Sequence, residues 1–135
     1  MMKPETHLTP ANEDYLEAIL ALSEQHDAVR SVDIASHLNV SRASVNKAMN
    51  ILRTLGLIDQ EPYGLIHLTS EGRLHAKDVL QRHQMIKRFL SDILDISAET
   101  AEKDACRMEH VISPETRKKW IAWLRDVLND HQSGG

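Results

Sequence analysis

The chain has 135 residues, 41% of them apolar and 27% charged, with a formal net charge of −4. That is room for one compact domain, or for a small domain joined to a dimerisation module too thin to bury a core alone. No apolar run approaches the roughly eighteen residues of a membrane span. No signal-peptide pattern is visible, and the single cysteine excludes an internal disulfide, so a reducing, cytoplasmic setting is expected.

Charge is unevenly spread. From Arg30 to Leu90 there are nine Lys/Arg against five Asp/Glu, so the middle of an acidic chain is electropositive and a candidate phosphate-facing surface. The first element runs from Asn12 to about Gln25, where Tyr15, Leu16, Ile19, Leu20 and Leu22 recur at helical spacing behind Pro10. After the break at His26-Asp27-Ala28, Ser31 is placed as the cap of a short helix carrying Val32, Ile34, Ala35 and Leu38. Asn39 suits a left-handed turn. Val40 is expected to resume burial, and Ser41 to cap a third helix with Val45, Ala48, Met49 and Leu52 inward, ending near Leu55-Gly56.

Small Ala35 and Ala48 at the crossing of the second and third helices complete a helix-turn-helix pattern. Leu57-Ile58-Asp59-Gln60 and Leu65-Ile66-His67-Leu68 read as two short strands around the turn Glu61-Pro62-Tyr63-Gly64. Three helices and a hairpin in this order make a winged helix. The outer face of its third helix is small, polar or basic: Ser41, Arg42, Ala43, Ser44, Asn46, Lys47 and Asn50. In a major groove Arg42, Asn46 and Lys47 would reach base edges, and Ser41 and Ser44 phosphates.

A long helical pattern opens at Ser70-Glu71-Gly72 and runs through Leu74, Val79, Leu80, Met85, Ile86, Phe89, Leu90 and Ile93 to about Leu94. A further helix is expected from Ala98 to about Ile112, stopped by Ser113-Pro114, and a last one from Pro114 to about Asn129, before a tail of frayed composition. Phe89, Trp120 and Trp123 suggest a homodimer seam, although packing within one chain explains some of them equally well. The fold class is thus mainly α with a small β-hairpin. Residues 1–72 form a winged helix-turn-helix DNA-binding domain and residues 73–135 a helical metal-binding and dimerisation domain.

Spacings of three and four residues put the thiol of Cys106, the carboxylate of Glu109 and the imidazole of His110 on one helical face, a metal-ligand set. Asp14 and Glu17, three residues apart in the first helix, offer two more carboxylates. Carboxylates and imidazoles suit Mn2+ or Fe2+, while a thiolate shifts preference toward softer or later metals, including Fe2+, Co2+, Ni2+ and Zn2+.

These residues resemble the DtxR/MntR group of metal-dependent transcriptional regulators, in the short form without a C-terminal SH3-like domain. The likeness runs from Asn12 to about Asn129. It rests on Asp14-Tyr15-Leu16-Glu17, the winged helix, Arg82-His83, and the run from Ala105 to Ser113. The resemblance implies a homodimer that binds operator double-stranded DNA when Mn2+ or Fe2+ is bound, commonly to repress metal-uptake genes. Its ligand set maps onto Asp14, Glu17, His83, Cys106, Glu109 and His110, so that a cation cross-links the first helix and the dimerisation part.

The set is a hybrid. The manganese-type pattern has the aspartate but a glutamate in place of Cys106, and the iron-type pattern has the cysteine but a methionine in place of Asp14. At the iron type's ancillary site, Lys87 stands where a carboxylate would be and Glu102 where a histidine would be. Two other functions share some of these features. A winged-helix regulator of the MarR kind, sensing a small molecule or oxidation at Cys106, leaves the ligand cluster unexplained. A metalloenzyme leaves the helix-turn-helix without purpose and lacks a separate nucleophile or base.

Overall fold

Helix α1 (Pro10–Gln25) starts two residues earlier than the apolar spacing marks, because Thr9 is its cap and Pro10 its first residue. The Thr9 hydroxyl accepts from the Asn12 N–H at 3.1 Å, and proline suits a first turn whose N–H groups have no helical acceptor. The computed structural model describes residues 8–26, 28–61 and 64–133, with only the helical backbone at 128 and 130–133. Asp27 in the expected break, Pro62 and Tyr63 in the expected turn, and Gly134 and Gly135 in the expected tail lie outside the described residues.

The described chain divides into two compact units, Met1–Asp78 and Val79–Gly135. In the first, α2 (Ser31–Leu38) and α3 (Arg42–Thr54) follow α1. Ser31 is the first helical residue of α2 rather than its cap; the Asp33 carboxylate instead accepts from the Arg30 N–H at 3.0 Å. Asn39 takes the left-handed conformation (φ 55°) and ends α2. Ser41 caps α3, its hydroxyl accepting from the Ser44 N–H at 3.1 Å. Val40 is exposed rather than buried, since it lies in the turn between the two helices.

Strands β1 (Ile58–Gln60) and β2 (Ile66–Leu68) pair antiparallel, Ile58 opposite Leu68 and Gln60 opposite Ile66. A bridge between Val29 and Ile66 adds a third short partner that periodicity does not reveal. Leu16, Ile19, Ile34, Val45, Met49, Leu52, Leu57 and Ile66 are buried in this unit. The winged helix is therefore a core of three helices closed by a hairpin.

Helix α4 (Ser70–Arg88) contains the boundary between the units. It does not run unbroken to Leu94: residues Phe89–Ile93 form a single π-helical turn, ended by the Leu94 N–H bonding back to the Phe89 carbonyl at 3.2 Å. Leu74, placed in the apolar stripe by spacing, is exposed. Helices α5 (Ala98–Val111) and α6 (Pro114–Ser133) complete the second unit. Its core is Ile86, Leu90, Ala101 and Ala105, with Phe89, Ile96, Met108, Ile112 and Trp120 packed around them. Phe89 meets Trp120 edge-on at 5.4 Å and Trp123 at 6.1 Å, so these aromatics pack within one chain, while Trp123 keeps half of its surface exposed.

Gly72 is held against the backbone of Leu57: a Cβ built there overlaps the Leu57 carbonyl oxygen. The Thr69 hydroxyl ties the same corner, accepting from the Gly72 N–H and donating to the Gly56 carbonyl. Gly72→Ala is expected to destabilise the protein by about 1–3 kcal/mol, the usual cost of overpacking. Chemical unfolding measures this, and an unchanged midpoint would mean that the Leu57 backbone yields freely.

Candidate functional site

Two α-helices supply the chemistry of the second unit. On α4 and the π-helical turn that follows it, Val79, Arg82, His83, Ile86 and Leu90 lie at helical spacing and are all buried, so a guanidinium and an imidazole occupy an otherwise apolar stripe. On α5, Ala101 and Ala105 form the apolar contact, and Glu102, Cys106 and Glu109 lie along an adjacent line at steps of four and three.

Glu109 is the centre of this arrangement. It is 0% exposed, and neither carboxylate oxygen makes a hydrogen bond. His110 Nε2 lies 3.3 Å and His83 Nδ1 3.6 Å from Glu109 Oε1. Burial pushes the Glu109 carboxyl up, but polar contact with His110 and His83, together with their positive charge, outweighs it and holds the group below the ordinary carboxylate range. The carboxylate is ionised. Arg82, buried beside it, donates to the Glu109 backbone carbonyl at 3.3 Å and so serves the last turn of α5, where a cation is favoured.

One donor atom each of His83, Cys106 and Glu109 lies within 4.8 Å of the others, and Cys106 is exposed. Nitrogen, sulfur and oxygen donors converge on a point next to a buried anion without hydrogen-bond donors, and a divalent cation fits that environment. Asp14 and Glu17 lie one turn apart on α1 in the first unit, both half-buried. The structure thus brings His83, Cys106, Glu109 and His110 together in the second unit, and sets Asp14 and Glu17 on one face in the first.

Behind His83 stands a second polar group. Glu102 Oε1 lies 2.8 Å from His83 Nε2, and its other oxygen 3.0 Å from Lys87 Nζ. Partial burial raises the Glu102 carboxyl, and Lys87 and His83 more than reverse that, leaving it below its ordinary value. Sequence spacing alone assigns no role to Arg82, Lys87 or Glu102. The one available signal is the pair Arg82-His83 inside an apolar stripe.

In the first unit α3 buries Val45, Ala48, Met49 and Leu52 and leaves Ser41, Arg42, Ala43, Ser44, Asn46, Lys47 and Asn50 exposed. Arg42 and Asn46 share an open cleft of about 320 Å3 with Arg30, Gln60 and Gly64, so the start of α3 and the hairpin form one continuous polar surface. Arg53 is turned back on Asn50 at 2.7 Å.

A winged helix with a polar, basic α3 face and a helical unit carrying a candidate metal-ligand cluster define the class of metal-dependent transcriptional regulators. The family described as "Iron dependent repressor, N-terminal DNA binding domain" matches residues 7–66, and "Iron dependent repressor, metal binding and dimerisation domain" matches residues 69–133. The chain belongs to the iron-dependent repressor family. It is 39% identical over 112 residues to the transcriptional regulator MntR of Escherichia coli O6:H1, covering 83% of this chain and 72% of that protein. It is 31% identical over 120 residues to the diphtheria toxin repressor of Corynebacterium efficiens, covering 89% of this chain and 52% of that one.

Among solved structures, the manganese regulator SloR superposes with a TM-score of 0.75 at 28% identity, over 90% of this chain and 55% of its own. A manganese-dependent transcriptional repressor in complex with manganese gives 0.74 at 27%, over 84% and 52%. The chain therefore spans a little over half the length of these two structures. No helix among the described residues is long and apolar enough to cross a membrane.

The ionised, donor-free Glu109 generates a stability prediction. Divalent metal at a hundredfold excess over its Kd should stabilise the wild-type protein by about 2.7 kcal/mol, and Glu109→Gln, similar in volume but uncharged, should lose most of that gain. Thermal unfolding with and without Mn2+ under anaerobic conditions measures it. An equal metal-induced rise in both proteins would place the cation elsewhere.

Proposed function

We propose that this protein represses transcription as a cytoplasmic homodimer that binds operator double-stranded DNA when Mn2+ or Fe2+ is bound, with metal-uptake genes as its targets. The buried Glu109 carboxylate carries the reading, because neither of its oxygens makes a hydrogen bond and it faces a thiol and two imidazoles. His83, Cys106, Glu109 and His110 are the ligands from the helical part. Asp14 and Glu17 join them on the strength of the family pattern and their shared face on α1. The division into residues 1–72 for DNA binding and 73–135 for metal binding and dimerisation is part of the same reading.

A bound divalent cation supplies the positive charge that a cluster of carboxylates needs to close. Asp14 and Glu17 move with α1, and hence with the winged helix, whereas the other four ligands belong to the helices of the second unit. Gathering all six lowers the repulsion among the carboxylates and restricts how the two recognition helices of a dimer are spaced, which must match about one helical turn of DNA or a small multiple. Ser41 and Ser44 meet phosphates at the start of α3, and Arg42, Ala43, Asn46 and Lys47 face base edges.

Chelation should weaken operator binding by about tenfold or more, equivalent to at least about 1.4 kcal/mol of coupling. Equal binding with and without metal would sink the sensor reading and favour the oxidation switch at Cys106. Arg42→Ala and Lys47→Ala should weaken DNA binding while metal affinity in the absence of DNA stays nearly constant. Loss of metal binding in either still-folded variant would break the proposed division of labour. Because Cys106 is the one soft ligand, Cys106→Glu should move relative preference toward Mn2+ and away from Co2+ and Zn2+. Anaerobic competitive titration reads this, and an unchanged ranking would remove Cys106 from the ligand set.

A further inference from the structure

We propose that Lys87 and Glu102 act as a positioning pair for His83, fixing the imidazole so that Nε2–H is donated to Glu102 and the Nδ1 lone pair is presented to the Cys106 and Glu109 donors. The proposal rests on the metal reading above, in that His83 is taken as a ligand through Nδ1. The geometry runs in one chain: Lys87 Nζ to Glu102 Oε2 at 3.0 Å, Glu102 Oε1 to His83 Nε2 at 2.8 Å, and His83 Nδ1 to Glu109 Oε1 at 3.6 Å. Lys87 lies one turn beyond His83 on α4, and Glu102 lies one turn before Cys106 on α5, so the pair spans the two helices that carry the cluster.

Chemistry fixes the direction of the chain. Glu102, beside an ammonium, is a carboxylate and can only accept, so His83 Nε2 must carry the proton in this bond. Glu109 faces Nδ1 at 3.6 Å, beyond hydrogen-bond distance, against 2.8 Å for Glu102 at Nε2, so in a neutral imidazole the proton stays on Nε2 and the lone pair falls on Nδ1, on the Glu109 side. A histidine whose far nitrogen is held by a carboxylate is fixed in tautomer and ring orientation and is a stronger metal ligand.

The exposure of the groups separates this role from ordinary surface stabilisation. The side chains of Lys87 and Glu102 are 40% and 51% exposed, whereas that of His83 is 9% exposed. An ion pair so open to water contributes little to folding. Its effect on a nearly buried imidazole is not screened in the same way. The Lys87 ammonium also sits where a second cation would have to bind in order to use Glu102 and His83 Nε2 as ligands.

Two readouts on the full chain test the pair. The first is long-range 1H–15N NMR of the metal-free protein at about pH 8, where an ordinary imidazole is neutral. The His83 proton is expected on Nε2 in the wild type, and that preference should be lost in Glu102→Ala. The second is anaerobic Co2+ affinity by competition with a chelator. Glu102→Ala should bind Co2+ about 10–100-fold more weakly, with unchanged stoichiometry and an unchanged unfolding midpoint of the metal-free protein. Glu102→Gln, whose amide oxygen still accepts from Nε2–H, should retain most of the affinity.

A wild-type proton on Nδ1, or equal Co2+ affinity in Glu102→Ala, would overturn the proposal. So would a second Co2+ per chain in Lys87→Ala, since Glu102 would then be a ligand rather than a positioning residue. Failure of the wild type to bind Co2+ at all would overturn the metal reading instead, and the tautomer measurement would still decide the orientation of His83.

Discussion

Glu109 is fully buried, and an ionised carboxylate withdrawn from water costs several kcal/mol unless positive charge or hydrogen-bond donors surround it. The second unit is organised by that constraint. Ala101 and Ala105 share a buried cluster with Ile86 and Leu90, and α4 places His83 against the Glu109 carboxylate and Arg82 against the carbonyl of the same residue. His110, the next residue along α5, supplies the second imidazole. These contacts are enough to keep Glu109 ionised, but neither oxygen receives a hydrogen bond. In the proposed function a divalent cation would complete that compensation.

The polar face of α3 follows a different logic. On α3 one face is buried with Val45, Ala48, Met49 and Leu52, so helical periodicity forces Arg42, Asn46 and Lys47 to the outside. Ser41 uses its hydroxyl to cap the helix, and Asn39 makes the left-handed turn that sets α3 against α2. Such a surface is built entirely by the winged helix, with no contribution from metal chemistry. In the proposed function, metal acts on how the winged helix is presented, and Asp14 and Glu17 on α1 are the residues proposed to carry that effect.

Much of this was legible in the sequence because it depends on local spacing. The cap at Ser41 and the left-handed turn at Asn39 follow from residue type, and the inner face of α3 from steps of three or four residues. What depends on distant partners was not. The Val29 bridge to Ile66 joins segments with no common pattern, and the π-helical turn at Phe89–Ile93 interrupts a stripe that reads as continuous. Leu74 and Val40 are apolar at positions that prove exposed. Spacing treated Cys106 and Glu109 alike, yet one is exposed and the other wholly buried. The Lys87–Glu102–His83 chain spans 19 residues between its acid and its imidazole. Family resemblance marks Lys87 and Glu102 as departures, and only packing shows that they meet.

In the proposed function one free energy links the metal cluster and the DNA-binding face. Thermodynamic reciprocity requires that if metal tightens DNA binding, DNA tightens metal binding by the same factor. Mn2+ affinity should therefore be measured anaerobically, at fixed salt, on the free protein and on its saturated operator complex. An increase of about tenfold or more in the complex, matching the factor by which metal tightens DNA binding, is the predicted result. Equal Mn2+ affinity in both states would contradict the account, because the cluster around Glu109 would then bind metal without informing the winged helix.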